Sequence, residues 1–361
     1  MRMDHERAEA AGIRNAAERA DLLDYLESVG FTLEEMVEAE QQGRLFALAG
    51  DRQVRSGEPK YSLRDVADLL TLPVKDVADA WYALGLTAAD VDLRSLSDAD
   101  LEGLRTWSVL RDSIGDELAS GLLRVLGTSM ARLAEAASAA IRGGVPDIQL
   151  DVTTDEARTA KAFNEVASLV PRLGAFMDAV HRQHLQSTRT YFEQVIHDSS
   201  AEVTVGVGFA DLSGFTALTQ RLSLPELSSV LTAFGTVATD VVHEHDGRLV
   251  KLLGDAVMWV NADPNKLVEV ADHLVRHPVA QEAGIQVRAG LAYGEALAIF
   301  GDYFGSAVNL AARLVAAAEP GQVLASPGLV EHLDGWLAEP LPPVALRGFD
   351  DPVTPFALRQ G

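Results

Sequence analysis

The chain of 361 residues contains no cysteine, which excludes disulfides and thiolate metal sites and leaves the compartment unmarked by redox chemistry. Basic residues are scarce as well: 30 Lys and Arg stand against 53 Asp and Glu, a formal net charge of −23. That balance argues against general attraction to nucleic acid or to an anionic membrane surface. No apolar run approaches the roughly 20 residues of a membrane-spanning helix. The charged start, Met1-Arg-Met-Asp-His-Glu-Arg7, has no apolar stretch behind it, so a secretory signal is not expected. These absences point to a cytoplasmic protein. What the chain has is apolar content, 48% of residues, and enough length for two domains.

The first half reads as helices throughout. Leu22, Leu23, Leu26 and Val29 recur at helical spacing, as do Leu118, Leu122, Leu123, Leu126 and Met130. Gly30, Gly85 and the pair Gly143-Gly144 read as helix stops. A further helix opens at Asp151-Val-Thr-Thr-Asp155 and carries Ala162, Phe163, Val166, Leu169 and Val170, with Pro171 starting or kinking the next segment. A charged and aromatic stretch follows from His181 to Asp198. After Ser199-Ser200 the pattern changes to alternation, with Val203, Val205, Val207 and Phe209 on one face of a strand.

The second half alternates strands and helices. Helices fit Gly214–Leu222, Pro225–His245, Asn265–His277 and Ser306–Glu319. Strands fit Arg248–Leu253, Ala256–Val260, Ile285–Ala292, Ala296–Ile299 and Gln322–Ala325. The expected fold is α+β: an all-α domain over residues 1–180, a linker over 181–200, and an open β-sheet with flanking helices over 201–361.

Two short motifs carry chemistry. Phe209-Ala-Asp-Leu-Ser-Gly-Phe-Thr216 and Lys251-Leu-Leu-Gly-Asp-Ala-Val257 place Asp211 and Asp255 where strands should end. A lone Gly-Asp is usually only a turn former. Two such carboxylates on neighbouring strands can share two Mg²⁺ or Mn²⁺ ions. The backbone N–H groups of Gly214, Phe215 and Thr216 would face an anion at a helix start. Lys251, on an otherwise apolar strand, reads either as a lysine snorkelling from a sheet edge or as one with a ligand. Asp302 lies in the loop before Tyr303-Phe304-Gly305. Together, an ammonium that donates to adenine N1 and a carboxylate that accepts from the N6 amine would prefer ATP over GTP. Asn309 and Arg313 share a helix face and can stabilise charge developing on phosphorus, although the same spacing also fits a solvated face.

In combination these motifs resemble the class III nucleotidyl cyclases over about residues 202–358. The resemblance implies that Asp211 and Asp255 hold the metals, Lys251 and Asp302 read the base, and Asn309 and Arg313 act on the transition state. It implies a homodimer, because family enzymes take the metal aspartates from one subunit and the other four residues from its partner. The implied product is 3′,5′-cyclic AMP, with pyrophosphate leaving. Arg347 resembles a basic position that contacts the triphosphate. One departure is Tyr293-Gly294-Glu295, where many members have an arginine after Ser-Gly. A guanylyl cyclase is disfavoured by Lys251 and Asp302. The rival of a different class is a catalytically silent cyclase fold serving as a nucleotide-binding or DNA-binding regulator.

In the helical half, Tyr61 to Trp81 reads as a helix-turn-helix. Its second helix carries two aspartates and one lysine, a poor match to phosphate, so packing or dimerisation is the expected role. The architecture resembles the autoinhibitory, pH-responsive domains of certain actinobacterial cyclases. His181, His184 and His197 in the linker would be the titrating groups. A small apolar ligand among the helices around Leu118–Ile141 is a further candidate.

Overall fold

The structure, a computed structural model, describes residues 4–88, 90–148, 155–195, 201–278 and 286–361. It divides into two compact units, Met1–Gln183 and His184–Gly361. No helix among the described residues is long and apolar enough to cross a membrane.

The first unit is helical because its sequence supplies both periodic apolar faces and explicit starts. Thr32 with Glu35, Ser62 with Asp65, and Ser97 with Asp100 each form a reciprocal capping box at a helix N-terminus. One core gathers Ile13, Leu22, Leu23, Leu26 and Met36 with Ala157 and Ala160 of the helix Glu156–Ala167. A second gathers Leu63, Val66, Val77, Leu104 and Trp107. Gly30 and Gly85 follow helices with positive φ, and the helix Asp116–Gly144 ends at the glycine pair. The opening Asp151–Thr154 lies outside the described residues, and Asp155 caps the helix that follows. That helix ends at Ala167, so Leu169 is not part of it. Val170 begins the long helix Val170–Val195, with Pro171 in its first turn, where the missing N–H costs nothing.

Charge also ties this unit together. Arg19, 18% exposed, bonds Glu40 at 2.8 Å and Glu156 at 2.5 Å, while Arg14 bonds Glu40 at 3.0 Å. Burial alone would push the Glu40 carboxyl up; the hydrogen bonds from Arg19 and then Arg14 outweigh it and hold the group below its usual value. Helices Leu63–Leu70 and Val74–Ala83 form the expected helix-turn-helix around Thr71 in the left-handed region. The one lysine of the second helix, Lys75, is paired with Asp79. On the helix Asp116–Gly144, Leu118, Leu122, Leu126, Met130 and Leu133 form an exposed apolar stripe rather than an enclosed pocket.

The second unit is built on eight strands: β1 (Glu202–Ser213), β2 (Arg248–Leu253), β3 (Ala256–Asn261), β4 (Gln286–Ile299), β5 (Asp302–Phe304), β6 (Val323–Ala325), β7 (Trp336–Pro340) and β8 (Phe356–Gln360). Their order is β2-β3-β1-β4-β6-β8-β7, with β5 pairing β4. All pairs are antiparallel except β4 with β6. Alternation in β1 sends Val203, Val205, Val207 and Phe209 to one face, against Ala307, Ala311 and Val315 of the helix Ser306–Ala317. Ala210 and Leu212 face the other way, toward helices Leu224–Glu244 and Pro264–Arg276. The sheet is therefore covered on both faces.

In this unit the observed elements differ from several expectations. The strands placed at Ile285–Ala292 and Ala296–Ile299 are one strand, because Gly294 stays in the β1 ladder opposite Val205; Ile285 itself lies outside the described residues. Asp302 opens β5 rather than sitting in a loop. Phe300 and Gly301 both take positive φ, as a tight two-residue hairpin requires, and this sets Asp302 opposite Ile299. The helix after Gly214 is a short turn, Phe215–Thr219, and not a segment reaching Leu222.

Candidate active site

Asp211 does not stand at the end of its strand. β1 continues two residues beyond it, with Asp211 opposite Ala256 of β3 and Arg288 of β4. Asp255 occupies the turn between β2 and β3 beside Gly254, whose φ of +68° the turn requires. Leu212 N donates to the Asp255 backbone oxygen at 3.1 Å, stitching that turn to β1. Asp211 on β1 and Asp255 in the β2–β3 turn thus lie close together at one end of the β1–β3 ladder.

Arg288 is the residue that sequence reasoning missed. Its Nε and Nη2 donate to the two Asp211 oxygens at 2.8 and 2.9 Å. Its Nη1 donates to the carbonyls of Ala316 and Ala318 at 3.2 Å each, at the end of the helix Ser306–Ala317. A guanidinium suits both roles, since its planar fork matches a carboxylate and its charge matches a helix C-terminus. The available signal was a charged residue inside the apolar run Val287–Ala292, where burial without a partner is costly.

The electrostatics around Asp255 describe a site short of positive charge. Burial pushes its carboxyl above the usual carboxylate range, a bond from its own backbone N–H opposes that shift, and the Asp211 charge adds to the push. Arg288 supplies the nearby offset. Among the described residues no group of three or more His, Cys, Asp or Glu could hold a metal by itself. The two carboxylates offer the hard oxygen donors that suit a divalent cation.

Lys251 and Asp302 are joined by an ion pair, each about one-third exposed. A register shift in β2 between Leu249 and Lys251 sets the lysine against Met258. The other Asp302 oxygen accepts from Tyr303 N at 2.8 Å. An ammonium has three donors and a carboxylate several acceptor positions, so both keep capacity for further polar contacts.

Asn309 and Arg313 lie on the exposed side of the helix Ser306–Ala317, whose other side buries Ala307, Ala311 and Leu314. Arg313 Nε donates to the backbone oxygen of Arg347 at 3.2 Å, and the Arg347 side chain is exposed. Gly214 sits in the left-handed region before Phe215 and Thr216, which begin the short helix. The candidate residues therefore fall into sets: Asp211 with Asp255 and Arg288, Lys251 with Asp302, and Arg313 with the Arg347 backbone. Among the described residues no hydrogen bond or ion pair joins the aspartate set to the other two.

The adenylate cyclase regulatory domain family matches residues 9–188, and the adenylate and guanylate cyclase catalytic domain family matches residues 197–359. An uncharacterized protein of Mycobacterium tuberculosis (strain ATCC 25618 / H37Rv) is 57% identical over 356 residues, covering 99% of this chain and 94% of its own. An adenylate cyclase of Streptomyces coelicolor is 31% identical over 291 residues, 80% of this chain and 75% of that protein. A pH-sensitive adenylate cyclase of Mycobacterium tuberculosis (strain CDC 1551 / Oshkosh) is 28% identical over 368 residues, 96% of this chain and 89% of that one.

Proposed function

The chain belongs to the adenylate cyclases that pair an N-terminal regulatory domain with a class III catalytic domain, and from that footing we propose that it converts ATP to 3′,5′-cyclic AMP and pyrophosphate in sites shared by two copies. The observation that carries this reading is the division of the candidate residues. Asp211 and Asp255 form one set, while the Lys251–Asp302 pair and Arg313 stand apart from it without a polar link. A homodimer that faces each aspartate set with a partner's base-reading set would complete two equivalent sites.

In this reading Asp211 and Asp255 hold Mg²⁺ or Mn²⁺. The ions, when bound, supply Lewis-acid activation of the ribose 3′-hydroxyl and charge for the leaving pyrophosphate. Arg288, bonded to Asp211, would place a positive charge beside the site where the triphosphate is bound. The backbone N–H groups of Gly214, Phe215 and Thr216 lie beside Asp211 in sequence and would also meet phosphate. Lys251 donates to adenine N1 and Asp302 accepts from the N6 amine, which selects ATP over GTP. Asn309 and Arg313 stabilise charge on the pentacoordinate phosphorus, and Arg347 steadies the leaving pyrophosphate.

Residues 1–180 act as the regulatory domain, 181–200 as the linker and 201–361 as the catalytic domain. The regulation proposed is by pH, supported by the pH-sensitive relative and by His181 and His184, both exposed on the helix Val170–Val195. Asp178, paired with Arg182, lies on the same helix and interacts with His181. His197 lies outside the described residues. Replacing all three histidines with glutamine should flatten the pH response of the full-length enzyme, and an unchanged profile would reject this mode of regulation.

The activity itself is tested by cyclic nucleotide formation from ATP and from GTP with Mn²⁺. Cyclic AMP from ATP, lost in Asp255→Ala, is the expected result. No product from a protein shown to be dimeric would favour the silent-regulator reading.

A further inference from the structure

The helix Val170–Val195 ends against the sheet, and its last turns meet the elements that carry the base-reading pair. Thr188 Oγ1 accepts a hydrogen bond from Arg248 Nη2 at 2.7 Å. The Arg248 guanidinium lies 5.0 Å from the centre of the Tyr191 ring. Tyr191 and Val195 are buried in the same apolar cluster as Tyr303, Met258 and Val260. Arg248 begins β2, three residues before Lys251, and the register shift lies between them. Tyr303 follows Asp302 directly and fixes that carboxylate through its backbone N–H.

The contact buries polar groups along with the apolar ones. Arg248 Nη1 is buried without a hydrogen-bond partner, and the buried Tyr191 hydroxyl has the Tyr303 hydroxyl as its neighbour. An unpaired buried donor costs free energy and is uncommon in native cores. Burial first, and the Tyr303 hydroxyl second, push the Tyr191 phenol upward, while the Arg248 charge opposes the same shift at Tyr191 and at Tyr303. The four side chains Thr188, Tyr191, Arg248 and Tyr303 are therefore one interacting group. It touches β2 on the lysine side and β5 on the aspartate side.

We propose that Thr188, Tyr191 and Arg248 are positioning residues for purine recognition, a clamp through which the end of the linker helix sets the placement of Lys251 and Asp302. This rests on the reading of that pair as the base-contacting residues. A shift of the helix would then change affinity and base preference before it changes the chemical step. Signals entering along the helix would have a direct route to substrate recognition.

The test measures kcat and KM for ATP and GTP on the full-length enzyme with Mn²⁺. The variants are Thr188→Val, Arg248→Gln, Arg248→Lys and Tyr191→Phe, with Lys251→Ala as the reference. Thr188→Val and Arg248→Gln should raise KM for ATP roughly 5-fold with little change in kcat, the effect of a weakened polar contact on uniform binding. They should also narrow the preference for ATP. Arg248→Lys should restore part of the loss, and Tyr191→Phe, which keeps the ring beside Arg248, should behave as wild type. If Lys251→Ala lowers the ATP preference while Thr188→Val and Arg248→Gln leave it intact, the clamp is overturned and the pair's role stands. A preference unmoved by Lys251→Ala overturns the reading of the pair, and the clamp with it. A loss of kcat equal for both nucleotides, with KM unchanged, would reduce the cluster to a packing role.

Discussion

In the sheet unit both faces of β1 are covered and the conspicuous polar residues are held by backbone. Asp211 is locked in a ladder, Asp255 in a turn stitched to β1, and Asp302 at the start of a two-residue hairpin. In the helical unit the longest helix leaves Leu118, Leu122, Leu126, Met130 and Leu133 exposed along one stripe. Its ion-pair network of Arg19, the buried Glu40 and the part-exposed Glu156 spans 137 positions of sequence to tie helices together. Catalysis needs groups fixed within a fraction of an ångström, and a sheet supplies that. The long helix of the other unit instead keeps an apolar face uncovered.

The contrast predicts where substitutions act. The largest effect belongs to Asp255→Ala, which should cut cyclic AMP formation by roughly 10³-fold, the scale of removing a preorganised electrostatic group, in a turnover assay with Mn²⁺. Asp255→Asn should be just as inactive yet melt at a higher temperature than wild type without metal. Its carboxyl ionises less readily in the folded chain, so stability falls as pH rises from the ordinary carboxylate range through the raised value. That penalty is fully present at neutral pH, and Asn removes it. A lower melting temperature for Asp255→Asn would contradict this electrostatic account.

Arg19→Ala moves the comparison to the other unit. It leaves Glu40, 6% exposed, with only the mostly solvent-exposed Arg14. The expected cost is about 3 kcal/mol in urea unfolding, the scale of breaking a buried ion pair. The loss should be confined to the signals of Trp81 and Trp107, with Trp259 and Trp336 reporting the sheet unit unchanged. Because Glu40 is held below its usual value, its contribution is present above the ordinary carboxylate range and disappears as pH falls through the depressed one.

Gly290→Ala tests whether the sheet unit tolerates as little movement as argued. A Cβ there would stand 2.1 Å from Val315 N and 2.5 Å from Ala311 O, so the helix carrying Asn309 and Arg313 would have to lift. The expected cost is about 2 kcal/mol of stability by thermal unfolding, with kcat lowered more than KM is raised. The smallest effect is on pH dependence. Arg288 holds the Asp255 carboxyl down, so Arg288→Gln should move the acid limb of the residual activity to higher pH.

Much of the candidate site was legible in the sequence because its proposed residues interrupt strong local patterns. Asp211 follows four alternating apolar residues, Asp255 stands beside a turn glycine, and Lys251 breaks an apolar strand. Arg288 broke a pattern of the same kind, but its meaning depends on a cross-strand partner 77 residues away. Position within a ladder was equally hidden: Asp211 lies inside β1 because β4 pairs on past it, with Val287 and Gln286 opposite Leu212 and Ser213. β7 and β8 went unforeseen because Pro340, Pro342, Pro343, Pro352 and Pro355 suggest irregular chain, although they flank the strands or end them. In the helical unit the starts and stops were readable from caps and glycines, whereas the Arg19 network was not, since no local period encodes it.

The most direct test of the shared site mixes two inactive variants. Asp255→Ala lacks one set and Arg313→Ala lacks the other. Separately, each should form almost no cyclic AMP; unfolded together and refolded together, they should recover about a quarter of wild-type activity, as random pairing into two-fold dimers with one intact site in half of them requires. Folded, dimeric mixtures that stay inactive would contradict a site built from two copies.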